Sequence, residues 1–197
     1  GAPFDVVGIA LASHVHGDHF QPAPAAAFLD ARTDVRLVSS PQVVESLKGV
    51  VGGSTPERIS PVWPEDGADR MIDRGVQVDF MPMRHTNRRN YEVQNLGHLI
   101  RLGDVSFLHV GDAEMLPEHY DRFDLARRDI DVGLIPYWFF MSESGQRLVH
   151  EHIAARRYIA MHIPPEEADE TRSTLAQIDP DIIVAVKPGD RWCFGEP

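Results

Sequence analysis

Short apolar segments recur along this sequence, and several of them lead directly into a histidine or an aspartate. The segment VVGIALA, residues 6–12, runs into SHVHGDHF, where His14 to His19 includes three histidines and an aspartate. The short length and β-branched content of such segments are typical of buried strands. Stretches with a helical pattern separate them, and this alternation predicts an α/β fold. Polar side chains at strand ends then collect on one edge of the sheet.

The same patterns predict one domain that spans residues 1–197, with most of 50–70 and all of 86–95 as loops. Proline at the first helical positions and glycine after the last turn mark two of the helices. The predicted strands are 6–12, 35–40, 76–83, a hairpin over 97–112, and then 132–138, 158–164 and 181–190. The predicted helices are 22–32, 41–49, 142–157 and 166–178.

Charge and composition narrow the classes of partner. The chain has 197 residues and a net charge of -11, from 19 basic and 30 acidic residues. A field of that sign disfavours nucleic acid and anionic membrane surfaces, but allows a small-molecule substrate. The single cysteine excludes an internal disulfide and is consistent with a cytoplasmic location. The sequence contains no apolar run of membrane-spanning length, so we expect no membrane span.

The residues at the strand ends are ligand types that divalent metals prefer, namely imidazole and carboxylate. In an extended H-x-H segment, His14 and His16 point to the same side and can bind one ion together. Gly17 allows a sharp turn, after which Asp18 and His19 can face a second ion. The full set is too large for one tetrahedral zinc and fits two ions. It comprises His14, His16, Asp18, His19, His85, Asp112 and His162.

Four stretches match the motif order of a known family: HVHGDH, FMPMRHT, GHLIRLGDVSFLHVGDAE and YIAMHIP. Over nearly its whole length the sequence resembles the metallo-β-lactamase superfamily. The resemblance implies an αββα sandwich and two divalent ions, zinc first, with manganese or iron as alternatives. It also implies the ligand sets, in which one ion takes His14, His16 and His85, the other takes Asp18, His19 and His162, and Asp112 bridges them.

Departures from other branches indicate which part of the superfamily the chain resembles. An aspartate at the bridging position, Asp112, disfavours the true β-lactamases, and histidine at His16 disfavours the flavodiiron oxidoreductases. VSFLHVGDAE and the H-x-x-R element that ends at Arg88 resemble the branch of the ascorbate-phosphate lactonase and the N-acyl phosphatidylethanolamine phospholipase D. Arg88 is therefore the candidate for binding an anionic group of the substrate. Arg84 and Arg89 are interpreted as parts of a solvated loop.

The resemblance implies a hydrolase in which a hydroxide bridging the two ions attacks a small ester, lactone or phosphoester. Asp18 or Asp112 would accept the proton of the nucleophile. A glyoxalase-type thioester hydrolase is an alternative that the same motifs allow. A third alternative is an inactive metal-binding or structural protein.

Several further side chains have competing interpretations. His109 either supports Asp112 from beneath or is a buried, hydrogen-bonded histidine. His150 and His152 lie two positions apart on a predicted helix, so they do not face one ion. The aromatic run after the 132–138 strand is expected in the core or an interface, with Trp138 and Phe139 as an alternative wall of the substrate pocket.

The early position of the first motif raises a separate expectation. In the resembling family several strands precede this motif, whereas here only a short segment precedes His14. The sheet that carries it is therefore expected to be N-terminally short. The chain could be a truncated or processed form, a partner subunit could supply the strands, or the missing piece could lie outside this sequence. We expect a lost N-terminal segment and, because an unpaired strand edge favours association, a homo-oligomer.

Overall fold

The computed structural model describes residues 6–185 and 191–193. Its strands are β1 (Ile9–Ala12), β2 (Arg36–Ser39), β3 (Ile59–Pro61), β4 (Asp69–Asp73), β5 (Val76–Arg84), β6 (Gln94–Leu102), β7 (Val105–His109), β8 (Val132–Pro136), β9 (Arg157–Met161) and β10 (Ile183–Val184). Its α-helices are α1 (Pro22–Ala31), α2 (Pro41–Ser46), α3 (Pro117–Asp121), α4 (Glu143–Leu148) and α5 (Ala168–Ile178). Short 3₁₀ turns cover Thr55–Arg58, Arg88–Asn90, Leu125–Arg127, Tyr137–Phe139 and Pro165–Glu167.

The strands form two sheets. The first has three parallel strands in the order β1-β2-β3. The second has seven strands in the order β10-β9-β8-β7-β6-β5-β4. Its β4 to β7 pair in antiparallel fashion, and its β7 to β10 pair in parallel. This topology places the carboxyl ends of β5, β7, β8 and β9 on the same edge of the large sheet.

Three apolar clusters show how the layers stack. Leu29 of α1 and Leu37 of β2 belong to a cluster between the small sheet and its helices. Val38, the next residue of β2, packs with Phe80 of β5 in a cluster between the two sheets. The largest cluster lies between the other face of the large sheet and α3 to α5, and includes Leu175. Alternate strand residues therefore face helices and sheet, which confirms the αββα sandwich that the sequence predicts.

The hairpin over 97–112 is confirmed, with β6 and β7 joined through Gly103 and Asp104. The prediction of a loop over 50–70 is wrong in part, because β3 and the start of β4 lie there. The predicted helix 142–157 is confirmed as far as Ile153, because α4 continues into one π-helical turn, Val149–Ile153. It is wrong beyond that point, because the helix ends at Ala154, whose φ is 53°, and β9 begins at Arg157.

The predicted strand at 181–190 is only partly covered by the description. Strand β10 comprises Ile183–Val184, and residues 186–190 lie outside the described residues. Within the described part of the chain, the helices are too short and too polar to cross a bilayer.

Candidate metal centre

The first motif follows β1 in a tight turn. The backbone N–H groups of His19 and Phe20 both donate to the carbonyl of His16, at 2.9 and 2.7 Å. The buried ring of Phe20 anchors the turn in the small-sheet cluster. The sharp turn predicted at Gly17 is confirmed, and Gly17 makes it without a positive φ. The turn brings the imidazoles of His14 and His19 close together, with ring centroids 4.1 Å apart.

His85 and Asp112 come from two segments that lie side by side at the edge of the large sheet. His85 pairs with Ala113 in a single antiparallel bridge. The N–H of Thr86 donates to the carbonyl of Asp112 at 2.6 Å. Backbone pairing thus joins the end of β5 to the loop after β7 next to His85 and Asp112.

Asn95 holds the Asp112 loop from inside the protein. Its side-chain amide donates to the carbonyls of Met83 and Val110, and its Oδ1 accepts from the N–H of Asp112 at 3.0 Å. A Cβ atom at Gly111, whose φ is 59°, would lie 2.1 Å from Asn95 Oδ1. Gly111 therefore allows both the turn and the close approach of the amide.

His162 follows β9 in a conformation that is unusual for a non-glycine residue, with φ of 61°. Residues in the left-handed region persist only when their surroundings fix them, and they cluster at functional sites. The ring of Trp138, which follows β8, meets the His162 ring edge-on at a centroid distance of 4.9 Å. This contact and the backbone turn together aim the imidazole toward Asp18 and Asp112.

All seven side chains that the sequence singles out as ligands converge at this edge. Their ligand atoms form three groups, each within 4.8 Å: His14, His16 and His85; His14, His19 and Asp112; Asp18, His19 and His162. Asp112 is central, because its Oδ1 lies 3.2 Å from His19 Nε2 and its Oδ2 lies 3.2 Å from His162 Nε2. The Nε2 atoms of His14 and His85 lie 3.9 and 3.8 Å from Oδ2.

The donor set fits divalent ions. His14 is fully buried, yet its Nε2 has no hydrogen-bond partner. An unpartnered buried polar atom is costly, so such atoms require an explanation. The other ring nitrogens are held by the protein: Ser13 Oγ lies 3.0 Å from His14 Nδ1, and the Thr86 carbonyl lies 2.6 Å from His85 Nδ1. Nitrogen and oxygen donors, oriented from behind in this way, are typical of zinc and related metals.

Burial and neighbouring charges shift the pKa values of several ligand side chains. Burial lowers the pKa of His14 to about 3, and burial also lowers that of His85. Burial opposes the ionised form of Asp112, but its contact with His19 outweighs this and lowers the pKa of the carboxyl. The same contact outweighs burial at His19 and raises the pKa of that imidazole. Neutral His14 and His85 beside an ionised Asp112 are the protonation states that metal binding requires, whereas His19 would release its proton when a metal binds.

A family comparison agrees with this architecture. The family model described as "Beta-lactamase superfamily domain" matches residues 2–168. The chain belongs to the beta-lactamase superfamily. Among curated proteins, none matches the sequence.

Solved structures share the fold at low sequence identity. Igni18, a novel metallo hydrolase from the archaeon Ignicoccus hospitalis, is 16% identical over 95% of this chain and 79% of its own, with a TM-score of 0.57. The metallo-beta-lactamase fold protein YhfI from Bacillus subtilis is 11% identical over 94% of this chain and 77% of its own, with a TM-score of 0.62. CmlA, a diiron beta-hydroxylase from Streptomyces venezuelae, is 15% identical over 89% of this chain and 42% of its own, with a TM-score of 0.57.

In this member of the beta-lactamase superfamily, a cavity of about 390 Å³ opens beside the second group of ligands. Asp18, His19 and His162 form its polar side. The rest of its lining is Met161, Ile163, Pro164 and Pro165. A substrate group that enters this cavity would meet ligand atoms on one side and an apolar wall on the other.

The structure leaves other predicted residues outside this centre. Arg88 is exposed on the 3₁₀ turn after His85 and does not line the cavity. His150 is exposed, and His152 pairs with Asp121 at 2.7 Å, so neither belongs to the ligand set. His109 is satisfied locally, because its Nδ1 accepts from the N–H of Gly111 at 3.1 Å.

The aromatic run divides between core and site. Phe139 and Phe140 are buried in the large cluster, as expected. Trp138 is partly buried and contacts His162, so it lies next to the centre. Arg84 is exposed, as expected, but it is the last residue of β5 and not a loop residue, and its Nε contacts Glu114 Oε2 at 2.5 Å.

Proposed function

We propose that this protein is a dinuclear metal-dependent hydrolase that acts on a small ester, lactone or phosphoester. The observation that carries the proposal is the convergence of the seven ligand-type side chains, which include a buried imidazole nitrogen without a hydrogen-bond partner, His14 Nε2. Membership of the beta-lactamase superfamily supports it.

The three ligand groups suggest how two ions would be held. One ion would take His14, His16 and His85, and the other would take Asp18, His19 and His162. Asp112 contacts members of both groups, which suits a bridging role. The proposed ligands are His14, His16, Asp18, His19, His85, Asp112 and His162.

When bound, divalent ions lower the pKa of water toward neutrality and polarise the bond under attack. The two aspartates suit different tasks in the same reaction. The Asp112 side chain is 7% exposed and the Asp18 side chain is 60% exposed. We assign proton acceptance to Asp18, since a group that exchanges protons with solvent needs access to it. Asp112 stays ionised and holds the surrounding imidazoles.

The proposal includes a branch of the superfamily, which narrows the class of substrate. The segment around Asp112 and the H-x-x-R element from His85 to Arg88 support the branch of the ascorbate-phosphate lactonase and the N-acyl phosphatidylethanolamine phospholipase D. Arg88 is three residues from His85 and exposed, so it is free to bind an anionic group that extends from the cavity.

Three further proposals concern the working form of the protein. Zinc is the proposed metal, because the donors are imidazole and carboxylate. A cytoplasmic location is supported by the exposed, unpaired Cys193. Homo-oligomerisation is supported by β1, which pairs with β2 on one side only in the described part of the chain.

The test combines elemental analysis with a substrate panel. We expect two metal equivalents per chain and turnover of a phosphodiester, lactone or thioester that a chelator abolishes. His14→Ala should lower turnover more than about 100-fold, because a metal ligand contributes at least as much as the groups that support it. His150→Ala is the matched control and should keep full turnover.

The outcomes separate the alternatives. Turnover of the thioester alone would favour the glyoxalase-type reaction over the proposed substrates. Bound metal with no turnover of any substrate would favour an inactive binding protein. Absence of metal after metal-supplemented expression would overturn the proposal itself.

A further inference from the structure

A cluster of three side chains lies next to the proposed metal centre, at the end of β5. It consists of Arg84, Tyr91 and Glu114, and we call it the outer cluster. Arg84 immediately precedes His85, and Glu114 follows Asp112 by two residues. The backbone alternates between these neighbours, so His85 is buried while Arg84 is exposed.

Each pair within the outer cluster is in contact. Arg84 Nε donates to Glu114 Oε2 at 2.5 Å, and the Tyr91 hydroxyl donates to Glu114 Oε1 at 2.7 Å. The guanidinium carbon of Arg84 lies 4.5 Å from the centre of the Tyr91 ring, in a cation–π contact. Both oxygens of Glu114 are thus used, and both are held by side chains of the β5 edge and the loop after it.

The backbone beneath the outer cluster explains what these contacts constrain. The N–H of Glu114 donates to the carbonyl of Arg84 at 2.9 Å, and the Tyr120 hydroxyl donates to the carbonyl of Glu114 at 2.9 Å. Beyond that, His85 and Ala113 meet in one isolated bridge. A pairing this short gives little stability by itself, so side-chain contacts across it add a large part of its rigidity.

We propose that the Arg84–Tyr91–Glu114 cluster is a positioning device that sets the separation of His85 and Asp112 and thereby the metal affinity of the centre. This inference rests on the proposed function. Glu114 and Arg84 are positioning residues, because both act through the backbone of a neighbouring ligand. A metal responds strongly to small displacements of its ligands, and groups behind the ligands typically change affinity 10–100-fold.

The test measures Zn²⁺ affinity of the whole protein by competition with a chromophoric chelator. Glu114→Gln removes the charge and should weaken Zn²⁺ binding by about 10-fold or more. Tyr91→Phe removes one hydrogen bond and should weaken it by a smaller factor. Arg84→Lys keeps the charge but loses the planar contact with the ring, so it should not restore full affinity.

Two further readouts separate positioning from folding. The melting temperature of the metal-free Glu114→Gln protein should match that of Glu45→Gln, a control that breaks the exposed pair with Lys48 far from the site. The visible spectrum of the Co²⁺-loaded protein should change in Glu114→Gln and stay constant in Glu45→Gln. The double variant of Arg84→Gln with Glu114→Gln should lose no more affinity than the stronger single variant.

The results distinguish this inference from the proposed function. If the unmodified protein binds Zn²⁺ tightly and both Glu114→Gln and Tyr91→Phe bind it equally tightly, the positioning role is wrong and the metal centre stands. If affinity and the metal-free melting temperature fall together, the outer cluster acts only on folding, which also overturns the inference. If the unmodified protein binds no Zn²⁺, the proposed function fails and the inference fails with it.

Discussion

At the scale of single residues, His162 combines a strained backbone with a ligand-type side chain. Its φ of 61° costs a non-glycine residue about 1 kcal/mol. His162→Gly should therefore change the free energy of unfolding of the metal-free protein by less than about 1 kcal/mol, because relief of strain offsets the added chain entropy. The metal content should fall below that of the unmodified protein. Urea unfolding and elemental analysis measure the two quantities.

A control for this prediction lies three positions earlier in β9. Ile159→Gly replaces a strand residue without a positive φ, so it should cost more than about 1 kcal/mol. If His162→Gly lowers the free energy of unfolding as much as Ile159→Gly does, then His162 stabilises the fold more than its backbone strain destabilises it.

Sequence reasoning found the ligand-type residues but missed the residues that hold them. His14, His85 and Asp112 lie in motifs with fixed spacing, and spacing can be read directly. Asn95 and Glu114 act through contacts between segments far apart in the chain. No local pattern marks Asn95, and Glu114 ends the stretch VSFLHVGDAE without any sign of its partners. Asn95 even lies in the segment predicted as a polar loop, although the structure buries it completely.

At the scale of secondary structure, β5 depends on a buried carboxylate. Asp79 is 1% exposed and binds Arg70 from β4 at 2.6 Å and Arg128 at 2.6 Å. Burial opposes ionisation, but the contacts with Arg70 and Arg128 outweigh it and lower the pKa of Asp79. Asp79→Asn should cost about 2 kcal/mol at pH 7, since charge-assisted hydrogen bonds are lost. Urea unfolding measures this difference.

The lowered pKa of Asp79 also predicts how the cost of Asp79→Asn, measured as a difference in the free energy of unfolding, changes with pH. Because the folded protein lowers the pKa of Asp79 from its ordinary value of 3.8, the stabilisation is complete well above pH 3.8. It is lost as the pH falls through the lower folded-state value. The difference in the free energy of unfolding between the unmodified protein and Asp79→Asn should therefore become smaller below about pH 4. Asp124→Asn breaks an exposed pair with Arg127. Its free energy of unfolding should be almost equal to that of the unmodified protein both at pH 7 and below about pH 4.

Elements with a clear hydrophobic period could be predicted, and short irregular ones could not. Strands β5 and β6 have nine residues each, most of them buried, and β7 alternates between buried and half-buried residues. Strand β3 has three residues, Ile59–Pro61, and depends on its pairing with β2. The helix that begins at Glu143 ends through a π-helical turn at Ala154, which is set by packing against the large sheet.

At the scale of the whole molecule, the candidate centre lies where the two sheets meet. His14 and His19 follow the small sheet, whereas His85 and His162 follow strands of the large sheet. Hydrogen bonds also join the layers near this edge. The N–H of Leu96 donates to the carbonyl of Ser13 at 2.8 Å, and Gln42 and Gln94 exchange hydrogen bonds of 3.0 and 2.9 Å. Bound ions would therefore connect the sheets.

Removal of metal should then loosen one part of the molecule more than the rest. At free metal about 1,000 times the dissociation constant, binding stabilises the fold by about 4 kcal/mol, so a chelator should lower the melting temperature. Amide hydrogen exchange should rise most in residues 6–61, because the small sheet has the smaller core. His14→Ala, which already lacks one ligand, should respond less to the chelator. An equal rise in exchange across both sheets would show that metal does not hold the small sheet in place.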